Sequence, residues 1–348
     1  MGDVKPANIG FVAVDHAHVM ADRTQLLRGI FDLCSVATAV VACRSVVDQE
    51  DAHGRGSMAY QPLSPSHPPM ARRRNAIVSL AVGDRCYRPW SAYLRQGWEA
   101  WCERHDCDLV IYDQPLDTSH RAESRSPAWQ KLLAMASADL AGFDRVIWLD
   151  ADIWIHPQAG NPILKLNPDQ VAMALDCGAP LSPEPLWFRQ AWSRILRTSL
   201  QLLSGDEAEL QELFSYYQLW GFPATRWPLW NTGVVVFTPS LHSVLFREIY
   251  DRWLDGGPGA LYEMIPLNLV LKAKNLIQTM DESFNLLYGV HHAVWMAQPK
   301  QFQAWYELSD ADLSEDQISR AIADRSQFLH FAGAHQRMIR LFDHAVLS

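Results

Sequence analysis

The feature that most constrains this chain is a regular alternation between residues 76 and 150. Short apolar runs of strand length, "AIVSLAV" (Ala76–Val82), "DLVIYD" (Asp108–Asp113) and "RVIWLD" (Arg145–Asp150), are separated by longer segments with a helical pattern. "WSAYLRQGWEAWCERH" repeats its apolar residues at Trp90, Tyr93, Leu94, Trp98 and Trp101, and "PAWQKLLAMASADLAG" is the second such segment. Apolar strands without a polar face, joined by amphipathic helices, predict an α/β fold with a mostly parallel central sheet covered on both sides. Further along, "NTGVVVF" (Asn231–Phe237) and "FLHFAGA" (Phe328–Ala334) read as strands. "SLHSVLFREIYDRWL", with Ser240 as its expected N-cap, and "EMIPLNLVLKAKN" read as helices.

The first 74 residues do not join this pattern. "IGFVAV" is a short strand candidate and Arg23 to Val47 carries helical spacing, but Asp51 to Arg74 is crowded with Pro, Ser and Gly. The expected division is an N-terminal extension and linker over 1–74 and a single catalytic-sized domain over 75–348. The net charge of -9 argues against a nucleic-acid surface, and Arg72-Arg73-Arg74 reads as a solvated linker edge. The six cysteines form no CxxC pair, so zinc-finger or redox spacing is absent and a disulfide framework is not expected. No signal peptide is evident, and "GIFDLCSVATAVVAC" contains Asp32 and falls short of the roughly 20 residues that span a bilayer. These observations lead to an expectation of a soluble, cytoplasmic protein with no transmembrane segment and no nucleic-acid partner.

Within "RVIWLDADIWI", Asp150 and Asp152 interrupt an apolar run, separated only by Ala151. Burying two carboxylates this close costs several kcal/mol unless something pairs them. Asp150 ends a buried strand, and open α/β sheets bind their ligands at that edge. One reading is that the two residues cap the following turn. The other is that their oxygens, on same-side positions of an extended chain, share a divalent cation that also grips a diphosphate.

Two enzyme classes put Asp-x-Asp after a buried strand. The continuation Ile153-Trp154-Ile155 does not fit haloacid-dehalogenase-type phosphatases, which require Thr or Val and usually Gly there. "YDQ", "PAWQKLLAM", "FDRVIWLDADIWI", "WNTGVVVF", "EMIPLN", "SFNLL" and "LHFAG" instead follow one another in an order that resembles nucleotide-sugar glycosyltransferases of the GT-A fold. The resemblance covers about Asn75 to Arg340. It is nearest to the retaining branch of glycogenin, bacterial lipooligosaccharide galactosyltransferases and plant xyloglucan xylosyltransferases.

The resemblance implies a function and a set of site residues. Asp150, Asp152 and His330 would hold Mn2+ (or Mg2+), with Asp150 also reaching the donor ribose. Lys131 would hold the donor sugar or phosphate; a solvated helix Lys is the alternative from sequence. Ala81, Val82 and Gly83 would wrap the nucleobase and Asp113 would contact base or ribose. Asn231 and Gly233 would lie beside the sugar, Glu263 would contact its hydroxyls as a catalytic-site acid, and Gly333, after His330, would count with Arg337 among the donor-binding residues. The implied partners are a nucleotide-sugar donor, UDP-sugar foremost, and a hydroxyl acceptor of unspecified kind.

Two positions depart from the family pattern. Met264 stands where galactosyltransferases carry Gln near the anomeric carbon. "GAHQRM" lacks the family's Lys, leaving Arg337 or His335 to neutralise the leaving diphosphate. The expected chemistry is retaining transfer, with neither Glu263 nor Asp281 promoted to nucleophile or base. The aromatic stretch from Trp187 to Trp230 (Trp187, Trp192, Tyr216, Tyr217, Trp220, Trp227, Trp230) is either core or an acceptor wall, with Trp227 and Trp230 favoured for the wall. A non-catalytic nucleotide-sugar-binding protein on the same fold is the main rival from another class.

Overall fold

The computed structural model describes residues 75–177, 182–199, 228–253, 262–309 and 313–347. The N-terminal strand and helix expectations, the linker, and Tyr216, Tyr217, Trp220 and Trp227 lie outside the described residues. The expected alternation is present. Strand β1 (Asn75–Leu80) pairs in parallel with β2 (Cys107–Tyr112) on one side and β3 (Arg145–Leu149) on the other. Between β1 and β2 run α1 (Asp84–Pro89), a π-helical turn (Trp90–Leu94) and α2 (Arg95–Arg104). The π turn follows Pro89, whose ring nitrogen cannot donate into an α-helical ladder.

The segment before β3 is shorter in its helix than its pattern suggested. Ser126 caps a single 3-10 turn at Pro127–Trp129, α3 spans only Gln130–Met135, and the Ser137 hydroxyl then takes the Asp139 amide. Small polar side chains that bond to nearby backbone compete with helix continuation, and Ser137 does so here.

The six-stranded sheet has the order β2-β1-β3-β6-β5-β7, with β5 at Val171–Ala174, β6 at Val234–Phe237 and β7 at Ile277–Met280. It is mostly parallel, but β6 runs antiparallel to both β3 and β5. A second sheet of three strands, β4 (Ile153–Ile155), β9 (Phe328–His330) and β8 (Leu286–Leu287), stands beside it. Alternate residues of each central strand enter two separate cores. Ile77, Ile147, Leu149, Val234 and Val236 face one; Ala76, Val78, Val146, Trp148, Val235 and Phe237 face the other. Burial on both faces explains the unbroken apolar runs.

Six longer helices cover these faces: α4 (Leu186–Ser199), α5 (Pro239–Arg252), α6 (Met264–Ala273), α7 (Tyr288–Ala297), α8 (Glu315–Asp324) and α9 (His335–Asp343), with short helices at His120–Glu123 and Pro299–Trp305 besides. Helix α5 begins two residues earlier than expected: Thr238, not Ser240, is its N-cap, and Pro239 takes the first helical position, where its missing N–H costs nothing. No described helix is long and apolar enough to cross a membrane, and among the described residues Cys86, Cys102, Cys107 and Cys177 form no disulfide.

Candidate active site

Asp150 lies just past the carboxyl end of β3, and Asp152 just before β4. The segment is a turn rather than an extended stretch, closed by an Ile153 amide bond to the Asp150 carbonyl at 3.2 Å. It carries the chain from the large sheet to the small one. The indole N–H of Trp98 on α2 anchors the far side by donating to the Ile153 carbonyl at 2.8 Å.

Two strand pairings bring the remote residues here. Because β6 is reversed, it starts where β3 ends: Leu149 is opposite Val234, and the Asp150 amide donates to the Gly233 carbonyl at 2.9 Å. Asn231, Thr232 and Gly233 therefore border the aspartates. Strand β9 pairs antiparallel with β4 so that His330 faces Ile153, one residue from Asp152. The His330 Nε2 lies 3.4 Å from Asp152 Oδ1 and 3.7 Å from Asp150 Oδ2. One ligand atom from each of Asp150, Asp152 and His330 falls within 4.8 Å of the others.

Lys131 is no solvated helix lysine. Its side chain is only 6% exposed, and its Nζ lies 2.9 Å from Asp150 Oδ1 and 2.8 Å from Glu263 Oε1 while donating to the Thr232 carbonyl at 3.0 Å. Burial alone would pull the ammonium down, but the Asp150 and Glu263 charges outweigh it and hold Lys131 raised and charged. Glu263 also accepts from the Thr232 hydroxyl at 3.1 Å, and Asp150 accepts from the Trp148 indole at 2.7 Å. Lys131 thus pairs Asp150 and Glu263, while Asp152 faces His330 and His335 instead. Asp150, Asp152 and Glu263 set against Lys131 leave two negative charges, as many as one divalent cation balances.

The His330 ring is oriented by a chain of amides that spacing alone does not reveal. The Gly233 N–H can only donate, so the Asn231 oxygen faces it at 2.9 Å. That same oxygen takes the Asn285 Nδ2 at 2.9 Å, which turns the Asn285 oxygen toward His330 Nδ1, again at 2.9 Å. An amide oxygen only accepts, so Nδ1 carries hydrogen and Nε2 is the nitrogen that faces the carboxylates. Histidine ligands are usually fixed by such a partner on the other nitrogen. The network continues from the Asn231 Nδ2 to Asp176, whose carboxyl burial pushes up to about 6. Gly233 is required by space: a Cβ there would lie 2.3 Å from His330 Cε1.

Other expected positions are at the same edge of the sheet or lead away from it. Ala81, Val82 and Gly83 follow β1, with the Ala81 amide bonded to the Tyr112 carbonyl and Gly83 at φ 74°, a left-handed conformation suited to glycine. Asp113 follows β2 and is exposed. Gly333 has φ 66° and turns the chain from β9 into α9. His335, the first residue of α9, reaches 3.8 Å from Asp152 Oδ2, whereas the Arg337 guanidinium contacts Glu315 and His292. Of the two substitutes for the missing lysine, only His335 meets the aspartates directly. Asp281 is exposed and caps the turn before β8 through the Ser283 amide.

The expectation of an acceptor wall at Trp230 does not survive its surroundings. Trp230 is 4% exposed within the second core, its indole donates to Thr279 at 3.0 Å, and Asn268 pairs with its backbone in both directions. It is a packing residue. Asn285, Thr232 and Trp148 carry interactions that were not expected. The available signal for Asn285 was its place as a polar residue within "SFNLL".

No protein-family model matches the chain, and no curated protein matches it. Solved glycosyltransferases are similar to it in structure. One, involved in glycosylation of the major capsid of PBCV-1, is 11% identical, with a TM-score of 0.42 over 76% of this chain and 99% of that one. The galactosyltransferase LgtC in complex with donor and acceptor sugar analogues is 13% identical, with a TM-score of 0.40 over 77% and 95%. Mouse xyloside xylosyltransferase 1 is 11% identical, with a TM-score of 0.33 over 74% and 97%.

Proposed function

We propose that the chain is a metal-dependent glycosyltransferase. In this reading it moves a sugar from a nucleotide diphosphate sugar, UDP-sugar being the expected donor, to an acceptor hydroxyl with retention. The observation that carries this is the convergence of Asp150, Asp152 and His330 beside the buried Lys131–Glu263 pair at the carboxyl edge of the sheet. Two carboxylates and an imidazole whose Nε2 faces them are a fitting donor set for Mn2+ or Mg2+. Bound there, the cation would supply positive charge to the diphosphate as the sugar–phosphate bond breaks.

The chain's own groups divide the remaining work. Lys131 orients Asp150 and Glu263 with one ammonium. The ends of β1 and β2, with Ala81, Val82, Gly83 and Asp113, form the shelf for base and ribose, and Asn231 and Gly233 border the sugar. His335 takes the role beside the leaving diphosphate that the resemblance gave to Arg337 or His335. Glu263 is held by Lys131 and the Thr232 hydroxyl, so this carboxylate is not free to act as nucleophile. That supports same-face transfer, with the departing phosphate accepting the acceptor's proton. The catalytic unit is 75–348, so removing residues 1–70 should leave nucleotide binding intact in a thermal-shift assay.

The direct test is a thermal-shift panel of nucleoside diphosphates and nucleotide sugars with and without Mn2+, followed by donor-hydrolysis assays. UDP should raise the melting temperature only with Mn2+, and a UDP-sugar should release UDP in an EDTA-sensitive way. No response to any nucleotide would overturn the reading. Binding without turnover, with every acceptor and with water, would make the chain a binding protein.

A further inference from the structure

A second cluster of ligand-type side chains lies outside the aspartate site. Cys177, Glu184 and His291 are all buried, at 6%, 7% and 5% exposure, and one ligand atom from each falls within 4.8 Å of the others. They come from three different elements. Cys177 follows the extension of β5, where the Asp176 amide bonds to the Leu229 carbonyl; Glu184 precedes α4; His291 is on α7. The pocket around them is aromatic, with Phe188 at 4.9 Å from the His291 ring and Trp305 stacked at 5.8 Å.

The groups are poorly satisfied by one another. Glu184 Oε2 is buried without a hydrogen-bond partner, although buried polar atoms are nearly always paired. The Cys177 Sγ lies within 4.8 Å of a Glu184 carboxylate oxygen, and the His291 Nδ1 is 2.6 Å from the Tyr306 hydroxyl. A sulfur, an imidazole nitrogen and a carboxylate oxygen, with the second imidazole nitrogen held by an outer partner, is the donor set of zinc rather than of manganese.

We propose that Cys177, Glu184 and His291 form a second metal site, selective for Zn2+ or a similar thiophilic divalent ion. Binding converts the thiol to a thiolate, the displaced proton leaving to solvent, and gives the orphaned carboxylate oxygen a partner. The ion ties the end of β5 to α4 and α7. Its ligand Cys177 is adjacent to Asp176, which accepts the Asn231 amide in the neighbouring site. The site therefore fixes one end of the network that orients His330. It does not depend on the glycosyltransferase reading.

The test uses Co2+ on the full-length protein freed of metal, in the Asp152→Asn background so that the oxygen-rich site is removed. Cys86 is half-buried in the field of Asp152 and Asp150, so a further Cys86→Ser variant serves as the sulfur control. One equivalent of Co2+ should produce a thiolate-to-cobalt charge-transfer band and tetrahedral d–d bands, both removed by adding Zn2+. Cys177→Ser should lose the charge-transfer band while Cys86→Ser keeps it. If Cys177→Ser does not fold, His291→Gln decides, with an expected loss of at least about tenfold in Co2+ affinity. The proposal is overturned by a protein that shows no charge-transfer band, by a band that persists in Cys177→Ser, or by unchanged affinity in His291→Gln.

Discussion

The two clusters hold three side chains each, with a histidine in both, yet their donor atoms and surroundings differ. Asp150, Asp152 and His330 lie at the edge of the sheet, where Asp150 is 27% exposed and is held by Lys131 and Trp148. Cys177, Glu184 and His291 are all buried among aromatic rings, and one carboxylate oxygen is left without a partner. Oxygen donors with an open side suit a hard cation that must also meet a substrate; sulfur in a closed pocket suits a structural ion. The outer partners differ as well. An amide oxygen dictates which nitrogen of His330 holds hydrogen, whereas the Tyr306 hydroxyl can donate or accept and leaves the His291 tautomer open.

The largest expected effect comes from Asp152→Asn. It removes one ligand and half the charge of the pair, so Mn2+-dependent UDP affinity and donor turnover should fall by at least about 100-fold. The Cys177 cobalt signature should survive unchanged. Equal loss at both clusters, read by calorimetry and absorption on one preparation, would show that they are not separate sites.

Gly233→Ala comes next, because its Cβ would lie 2.3 Å from His330 Cε1 and 2.4 Å from Nδ1. The ring must shift, so Mn2+ affinity should drop by roughly 30-fold and stability by about 1–3 kcal/mol. Gly97→Ala is the control. Gly97 is exposed in α2 with nothing within 4 Å of its Cβ, so alanine there should stabilise by about 0.5–1 kcal/mol. Denaturant melts and Mn2+ titrations on both variants separate the collision from the mere addition of a methyl.

Much of the first half of the fold was legible in sequence because β1 and β3 are buried on both faces, which leaves unbroken apolar runs, and the half-buried edge strand β2 follows them locally. The direction of β6 was not, since a strand's period does not encode whether its neighbour is parallel. That reversal matters to function, as it brings Asn231 and Gly233 to the aspartates. Asp150, Asp152 and His330 were legible through motif order, but the turn that carries the aspartates was not, because it depends on β4 leaving one sheet for another. Trp230 misled for a related reason. Its neighbour Asn231 borders the aspartates, but adjacent residues of an extended chain point to opposite sides. Cys177, Glu184 and His291 are spaced too widely for any short metal motif.

Asn285→Leu tests the amide relay at intermediate size. Leucine removes the acceptor for His330 Nδ1 and the donor to Asn231 while keeping similar volume. Mn2+ affinity should fall by roughly tenfold, the lower end for an outer partner, because His330 is also held by packing in β9. Cobalt binding at Cys177 should change little. Unchanged Mn2+ affinity would mean that the strand alone sets the ring.

Tyr306→Phe is the matching change at the other histidine and should be the smallest. The phenol is buried, which pushes its ionisation far up, so only the neutral hydroxyl meets His291. Its ring stacks on Phe302 at 4.1 Å and lies under Arg325, so removing the oxygen leaves the packing in place. A hydroxyl that can serve as donor or acceptor does less to select the tautomer than an amide oxygen that can only accept. Co2+ affinity at the Cys177 cluster should therefore fall only about threefold, well short of the tenfold or more typical of a tautomer-locking partner. Competition titrations resolve that difference. A loss as large as that of Asn285→Leu at its own site would show that Tyr306 fixes His291 as firmly as Asn285 fixes His330, and the contrast between the two clusters would then rest on sulfur against oxygen alone.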